Sequence, residues 1–167
     1  SISSKNVPIP ILCSNYQVSP SNMIWTFYVE VGATFSDGTS VTINDVFASY
    51  EKAKTTDYYK GRFTHVTKME ISEDGGITFT TNTPYENFPL LLDVPIVKAS
   101  DVDAEFPIGS GPYVFTEGSA GPCLMQVANW WCAKNTKLAT NAEVINLIDA
   151  VSPANLRDEF EFADVSL

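Results

Sequence analysis

The sequence predicts an α+β fold, a mixed arrangement of β-hairpins with short helices, and three observations predict it. Residues Ile24 to Val31 alternate apolar and polar in the period of a half-buried strand. Thr42 and Asp45 head a short run whose apolar residues recur at helical spacing. Val66–Ser72 and Ile77–Thr81 flank Glu73-Asp74-Gly75-Gly76, a connection with glycines where a hairpin wants positive φ. Hairpins interleaved with short helices argue against a doubly wound parallel sheet.

Residues 1–22 are rich in Ser, Asn and Pro around Ile9-Pro10-Ile11-Leu12, and read as an irregular or edge-strand opening. The strand that follows puts Trp25, Phe27, Val29 and Val31 on one face and Thr26, Tyr28 and Glu30 on the other. Phe35-Ser36-Asp37-Gly38-Thr39 then breaks it with Asp-Gly turn chemistry. Thr42 is the N-cap of a helix, with Asp45 in the place of the usual capping-box Glu or Gln. Ile43, Val46, Phe47 and Tyr50 form its apolar face, and it ends near Lys54. Residues 55–64 read as a loop or frayed helix.

In the hairpin, Met69, Ile71, Ile77 and Phe79 are the core-facing residues. Glu86–Leu92 is a short helical candidate interrupted by Pro89, and Val94–Val97 is an apolar, strand-like run. Tyr113–Thr116 and Leu124–Ala128 form a second hairpin around Gly118–Gly121, and Val144–Ile148 is a further strand. Ser152-Pro153 starts a last helix, with Leu156 and Phe160 on one face.

Charge and composition narrow the function. Twenty acidic and ten basic residues give a net charge of −10, which disfavours nucleic acid and anionic membrane surfaces as partners. Hydrophobic residues make up 44% of the chain, enough for a packed core, yet no window approaches the ~18 apolar residues of a membrane span. The single histidine, His65, excludes multi-histidine metal sites, and no Gly-x-Ser-x-Gly elbow places a nucleophile opposite it. Asp101, Asp103 and Glu105 fail the calcium-loop pattern, with Phe106 where Gly is required and Pro112 where Glu is required. No catalytic residue, metal site or cofactor is expected. Cys13, Cys123 and Cys132 lack CxxC spacing; a Cys123–Cys132 bridge is weighed against small buried thiols, and the thiols are preferred. Of the adjacent Trp130 and Trp131, one is expected in the core and the other half-exposed.

Taken in order, Leu12-Cys13-x-x-Tyr16-x-x-Ser19, Trp25-Thr26-Phe27, Phe35-Ser36-Asp37-Gly38-Thr39-x-Val41-Thr42-x-x-Asp45-Val46-Phe47-x-Ser49 and Gly109-Ser110-Gly111-Pro112-Tyr113 resemble the extracellular solute-binding proteins of family 5. These are the oligopeptide-, dipeptide- and nickel-binding receptors of ABC importers. The resemblance runs from about Ile9 to Leu167 and covers only the front part of such a receptor. It departs from the family at Glu30, at Ile43-Asn44 and at Asn129-Trp130-Trp131, which implies a divergent subgroup.

The resemblance implies a partial type II periplasmic-binding-protein lobe that includes the accessory domain. Residues 1–167 would form one compact fragment, 20–108 its accessory part, and 109–167 the return to the first lobe and the start of the second. It implies a monomeric, non-enzymatic receptor that binds a peptide or small-molecule solute for an ABC permease, outside the cell or in the periplasm, lipid-anchored in the full-length parent. Tyr113, Trp130 and Trp131 are the ligand-binding candidates. Half of a two-lobed cleft is expected to bind weakly or not at all on its own. The rival readings are a surface interaction module using Trp131 and Tyr58-Tyr59, and a hydrolase using paired carboxylates.

Overall fold

The computed structural model describes residues 7–118, 121–133 and 142–147. They form two antiparallel sheets. In the first, β1 (Cys13–Val18), β2 (Ile24–Val29), β3 (Val66–Ile71) and β4 (Ile77–Thr81) lie in the order β1-β2-β4-β3. In the second, β5 (Tyr113–Gly118), β6 (Gly121–Gln126) and β7 (Val144–Asn146) lie in sequence order. The α+β expectation holds. The helix beginning at Ser152-Pro153 and the end of the Val144–Ile148 strand lie outside the described residues.

The core grows from the predicted alternation. Trp25 pairs with Phe79 and Phe27 with Ile77, so four apolar side chains share one face. On the opposite face Thr26 and Thr78 are hydrogen-bonded through their hydroxyls at 2.8 Å. The single α-helix of the described residues, α1 (Ile43–Thr55), covers the apolar face with Val46, Tyr50 and Ala53 buried. Phe79 is 0% exposed and meets the Tyr50 ring edge-on at 5.2 Å. Phe88 closes the other side at 5.4 Å from Phe79.

Local chemistry starts α1 as expected. Thr42 accepts the Asp45 backbone N–H at 3.4 Å, while the Asp45 carboxylate accepts the Thr42 N–H at 2.9 Å. Residues 73–76 close the β3–β4 hairpin with Gly75 at φ 84°, a conformation that costs glycine little. The 55–64 stretch contains a 3-10 helix at Lys60–Phe63 that buries Phe63, and the Glu86–Leu92 candidate is a 3-10 helix at Phe88–Leu92 with Pro89 in its first turn.

Several expectations are corrected. Val31 is 92% exposed, because β2 ends at Val29 and Gly32, at φ 85°, turns the chain away. Ile71 is exposed at the end of edge strand β3, although Met69 packs on the core. The 94–97 run is no strand: it makes one bridge, Val97 to Gly109, and its Pro95 has no N–H to give to a ladder. The opening residues do provide an edge strand, β1, whose Tyr16 lies opposite Phe27 with the rings 5.7 Å apart.

A candidate ligand-binding groove

The two sheets meet at Gly109-Ser110-Gly111-Pro112. Gly109 bridges Val97 and accepts the Ser36 N–H at 2.9 Å; the Ser110 N–H reaches the Ile96 carbonyl, and Pro112 accepts the Val127 N–H at 2.8 Å. Both tryptophans close this junction. The indole N–H groups of Trp130 and Trp131 donate to the same Ser110 carbonyl at 2.9 and 3.0 Å, with the rings tilted 67° to one another. Trp130 is 8% exposed and Trp131 is half-buried, the division expected from their adjacency. Tyr113, at the start of β5, is also half-buried and donates its hydroxyl to the Ala142 carbonyl at 2.9 Å.

These three candidates line one groove of about 940 Å³ between the sheets. Its other walls include residues that the sequence does not mark as ligand-binding: Pro8–Cys13, Tyr16, Leu92–Val97 and the pair Phe106 and Phe115. The phenyl rings of that pair stack 3.7 Å apart and within 6° of parallel. No local pattern marks them, because Phe106 stands in an irregular segment and Phe115 in β5, and their rings meet only when the chain turns between them. A ring such as Trp131, tied at its N–H, presents a fixed apolar surface at little entropic cost.

The electrostatics on the sheet side of this junction are structural. Asp37, in the Asp-Gly turn, is bound by the Lys98 ammonium and by Thr39, and these bonds lower its pKa to about 2. Asp45 is partly buried, which opposes ionisation, but the hydrogen bonds of Thr42 and of the Ala99 backbone outweigh this and lower its pKa. The Asp45 carboxylate thus joins the helix N-terminus to the Ala99 N–H at 2.9 Å. Burial raises the pKa of the Cys13 thiol and, strongly, that of the Tyr50 phenol, whose hydroxyl is committed to the Leu92 carbonyl at 3.0 Å.

The remaining chemical candidates do not converge. His65 is exposed, with Nδ1 3.1 Å from the Asn82 side-chain oxygen. All three cysteines are free; Cys123 and Cys132 are buried and Cys13 is half-buried, so the Cys123–Cys132 bridge is absent and the small-thiol reading holds. Asp103 pairs with Lys52 and Asp101 accepts from Ser100, and no cluster of three potential metal ligands exists among the described residues. No helix among these residues is long and apolar enough to cross a membrane.

Comparison with known proteins gives this arrangement a lineage. Protein XP55 of Streptomyces lividans is 30% identical over 166 residues, an overlap covering 83% of this chain and 30% of that protein. The binding protein AgaA of Agrobacterium tumefaciens R10, solved with agropinic acid, is 27% identical and superposes with a TM-score of 0.61 over 78% of this chain and 29% of its own. NikZ of Campylobacter jejuni, solved with Ni(L-His), shares the fold at 18% identity and a TM-score of 0.71, over 96% of this chain and 34% of its own. The chain therefore spans about a third of the length of these relatives. Their architecture is that of type II periplasmic-binding proteins, which the two sheets share in part. The model of the bacterial extracellular solute-binding proteins, family 5 (its middle region), matches residues 7–146, and the chain belongs to that family.

Proposed function

We propose that this chain is the front part of the substrate-binding receptor of an ABC importer, which captures a peptide or another small solute between two lobes and passes it to a membrane permease without chemical change. The observation that carries this reading is the groove, where Tyr113, Trp130 and Trp131 stand together beside the Gly109–Pro112 junction. They are the ligand-facing candidates, with half-buried Trp131 the wall and Trp130 its support. The names of relatives add to it: a probable D,D-dipeptide-binding periplasmic protein of Escherichia coli is 26% identical over 133 residues.

The junction also supports dividing the chain into an accessory part, residues 20–108, and a part from 109 onward that returns to the first lobe and begins the second. Apolar residues line both faces of the second sheet: Phe115, Leu124 and Ile145 pair on one, and Val114, Met125 and Val144 on the other. A sheet apolar on both faces is built to be covered on both: where Val114, Phe115 and Leu124 line the groove the solute contributes cover, and further parts of the receptor supply the rest. The receptor works as a monomer at the cell envelope, held by a lipid anchor on the full-length parent, and its two lobes close about a hinge.

Isothermal titration with a mixed peptide library tests this on two proteins. The receptor expressed from its whole reading frame binds in the micromolar range, while residues 1–167 alone bind far more weakly, because half a cleft buries too little of a ligand. Micromolar binding by the isolated chain overturns the two-lobe reading; absence of binding by the whole receptor overturns peptide as the solute.

A further inference from the structure

Resting on the receptor reading above, we infer that the groove selects solutes that carry an apolar or aromatic body and a positive charge, an ammonium or guanidinium, over anionic ones. Among the described residues that line it, the charged side chains are Asp93 and Glu105, with no lysine, arginine or histidine beside them. The lysines nearest in sequence to these walls are engaged elsewhere, Lys98 with Asp37 and Lys52 with Asp103. Arg62 reaches the Asp93 backbone carbonyl at 2.7 Å without lining the groove.

The apolar walls favour the same solutes. Tyr16, Phe106, Phe115 and Trp131 all line the groove, and the faces of aromatic rings attract cations while repelling anions. Glu105 and Phe106, the exposed member of the stacked pair, are adjacent in the chain and both line the groove, so a carboxylate and an aromatic side chain border the same opening. A solute carboxylate entering here meets like charge and loses its water without gaining a cationic partner among the described lining residues. An amine or guanidinium on an aromatic or aliphatic body meets a carboxylate, ring faces and apolar walls at once. The specificity-determining residue of this wall is Glu105.

The test uses three probes that share one skeleton and differ in charge at neutral pH: 3-phenylpropylamine, 3-phenylpropanol and 3-phenylpropionate. Their binding to the receptor expressed from its whole reading frame is followed by NMR through the indole N–H signals of Trp130 and Trp131. The amine is expected to bind about tenfold more tightly than the carboxylate, with the alcohol between them, and added salt to shrink that gap. Glu105→Gln, a change at an exposed side chain that leaves the fold intact, is expected to cut the amine's advantage by about threefold. Equal affinity for the three probes, tighter binding of the carboxylate, or an advantage untouched by Glu105→Gln overturns the charge selection and leaves the receptor reading standing. Indole signals that respond to none of the probes overturn the groove as the binding site, and this inference with it.

Discussion

The side chain of Ser49 in α1 accepts the backbone N–H of Val97 at 3.0 Å, so a buried hydroxyl ties the helix to the segment that leads into the groove. The same oxygen lies 2.8 Å from the Asp45 carbonyl and 3.2 Å from the Val97 carbonyl, either of which can take its proton. Ser49 is 4% exposed, and no water is needed to satisfy it. Ser49→Ala removes the acceptor and leaves the part-buried Val97 N–H without this partner, a loss of about 1 kcal/mol. Urea denaturation checks it; a midpoint unchanged from the parent shows that the tie contributes nothing.

A second prediction concerns acid. Asp37 and Asp45 both have folded pKa values below the unfolded carboxylate value of about 3.9. With depressed values, their contribution is fully present above pH ~4 and is lost as pH falls toward the folded pKa, about 2 for Asp37. Stability, measured as the urea midpoint, should fall between pH 4 and pH 2. Asp37→Asn with Asp45→Asn should flatten that slope and lower stability at pH 7. Loss of the capping carboxylate at Asp45 alone should cost about 1 kcal/mol. An unaltered acid slope in the double variant sinks the assignment.

A third contrast tests where the core sits. Phe79 touches Phe27, Tyr50 and Phe88 and has no exposed surface, so Phe79→Ala should destabilise by about 3–5 kcal/mol. Val31→Ser should fall within about 0.5 kcal/mol of the parent, because the residue stands in solvent. The sequence pattern alone ranks both positions as core. A cost at Val31 comparable to that at Phe79 would restore the longer strand.

That contrast shows what the sequence makes legible. The Thr42–Asp45 capping box, the Gly75 turn and the inward set Trp25, Phe27, Ile77 and Phe79 depend on neighbours within a few residues or on period, and all were readable. Ser49 was not, because a polar side chain off the apolar face reads as solvated until Val97 arrives from 48 positions away. Nor was the groove readable beyond Tyr113, Trp130 and Trp131. Tyr16 joins those residues only through folding, from about a hundred positions away, and Phe106 joins them across the Gly109–Pro112 junction. The adjacency of two tryptophans told how they would divide between core and surface; it could not tell that one carbonyl would hold both.

That shared carbonyl gives the last prediction. Ser110 has one backbone oxygen with two lone pairs, and the Trp130 and Trp131 indoles occupy both from 2.9 and 3.0 Å. Replacing either ring with phenylalanine removes one donor and leaves the carbonyl satisfied by the other. Trp131→Phe, at a half-buried ring, should therefore cost little, and Trp130→Phe more, because its ring fills buried volume. The double variant strips both donors from a part-buried carbonyl, so its loss should exceed the sum of the single losses by about 0.5–1.5 kcal/mol. A double-mutant cycle measured by urea denaturation reads this term directly. Additivity within about 0.3 kcal/mol would mean that solvent replaces the indoles at Ser110 and that the junction is held by packing alone.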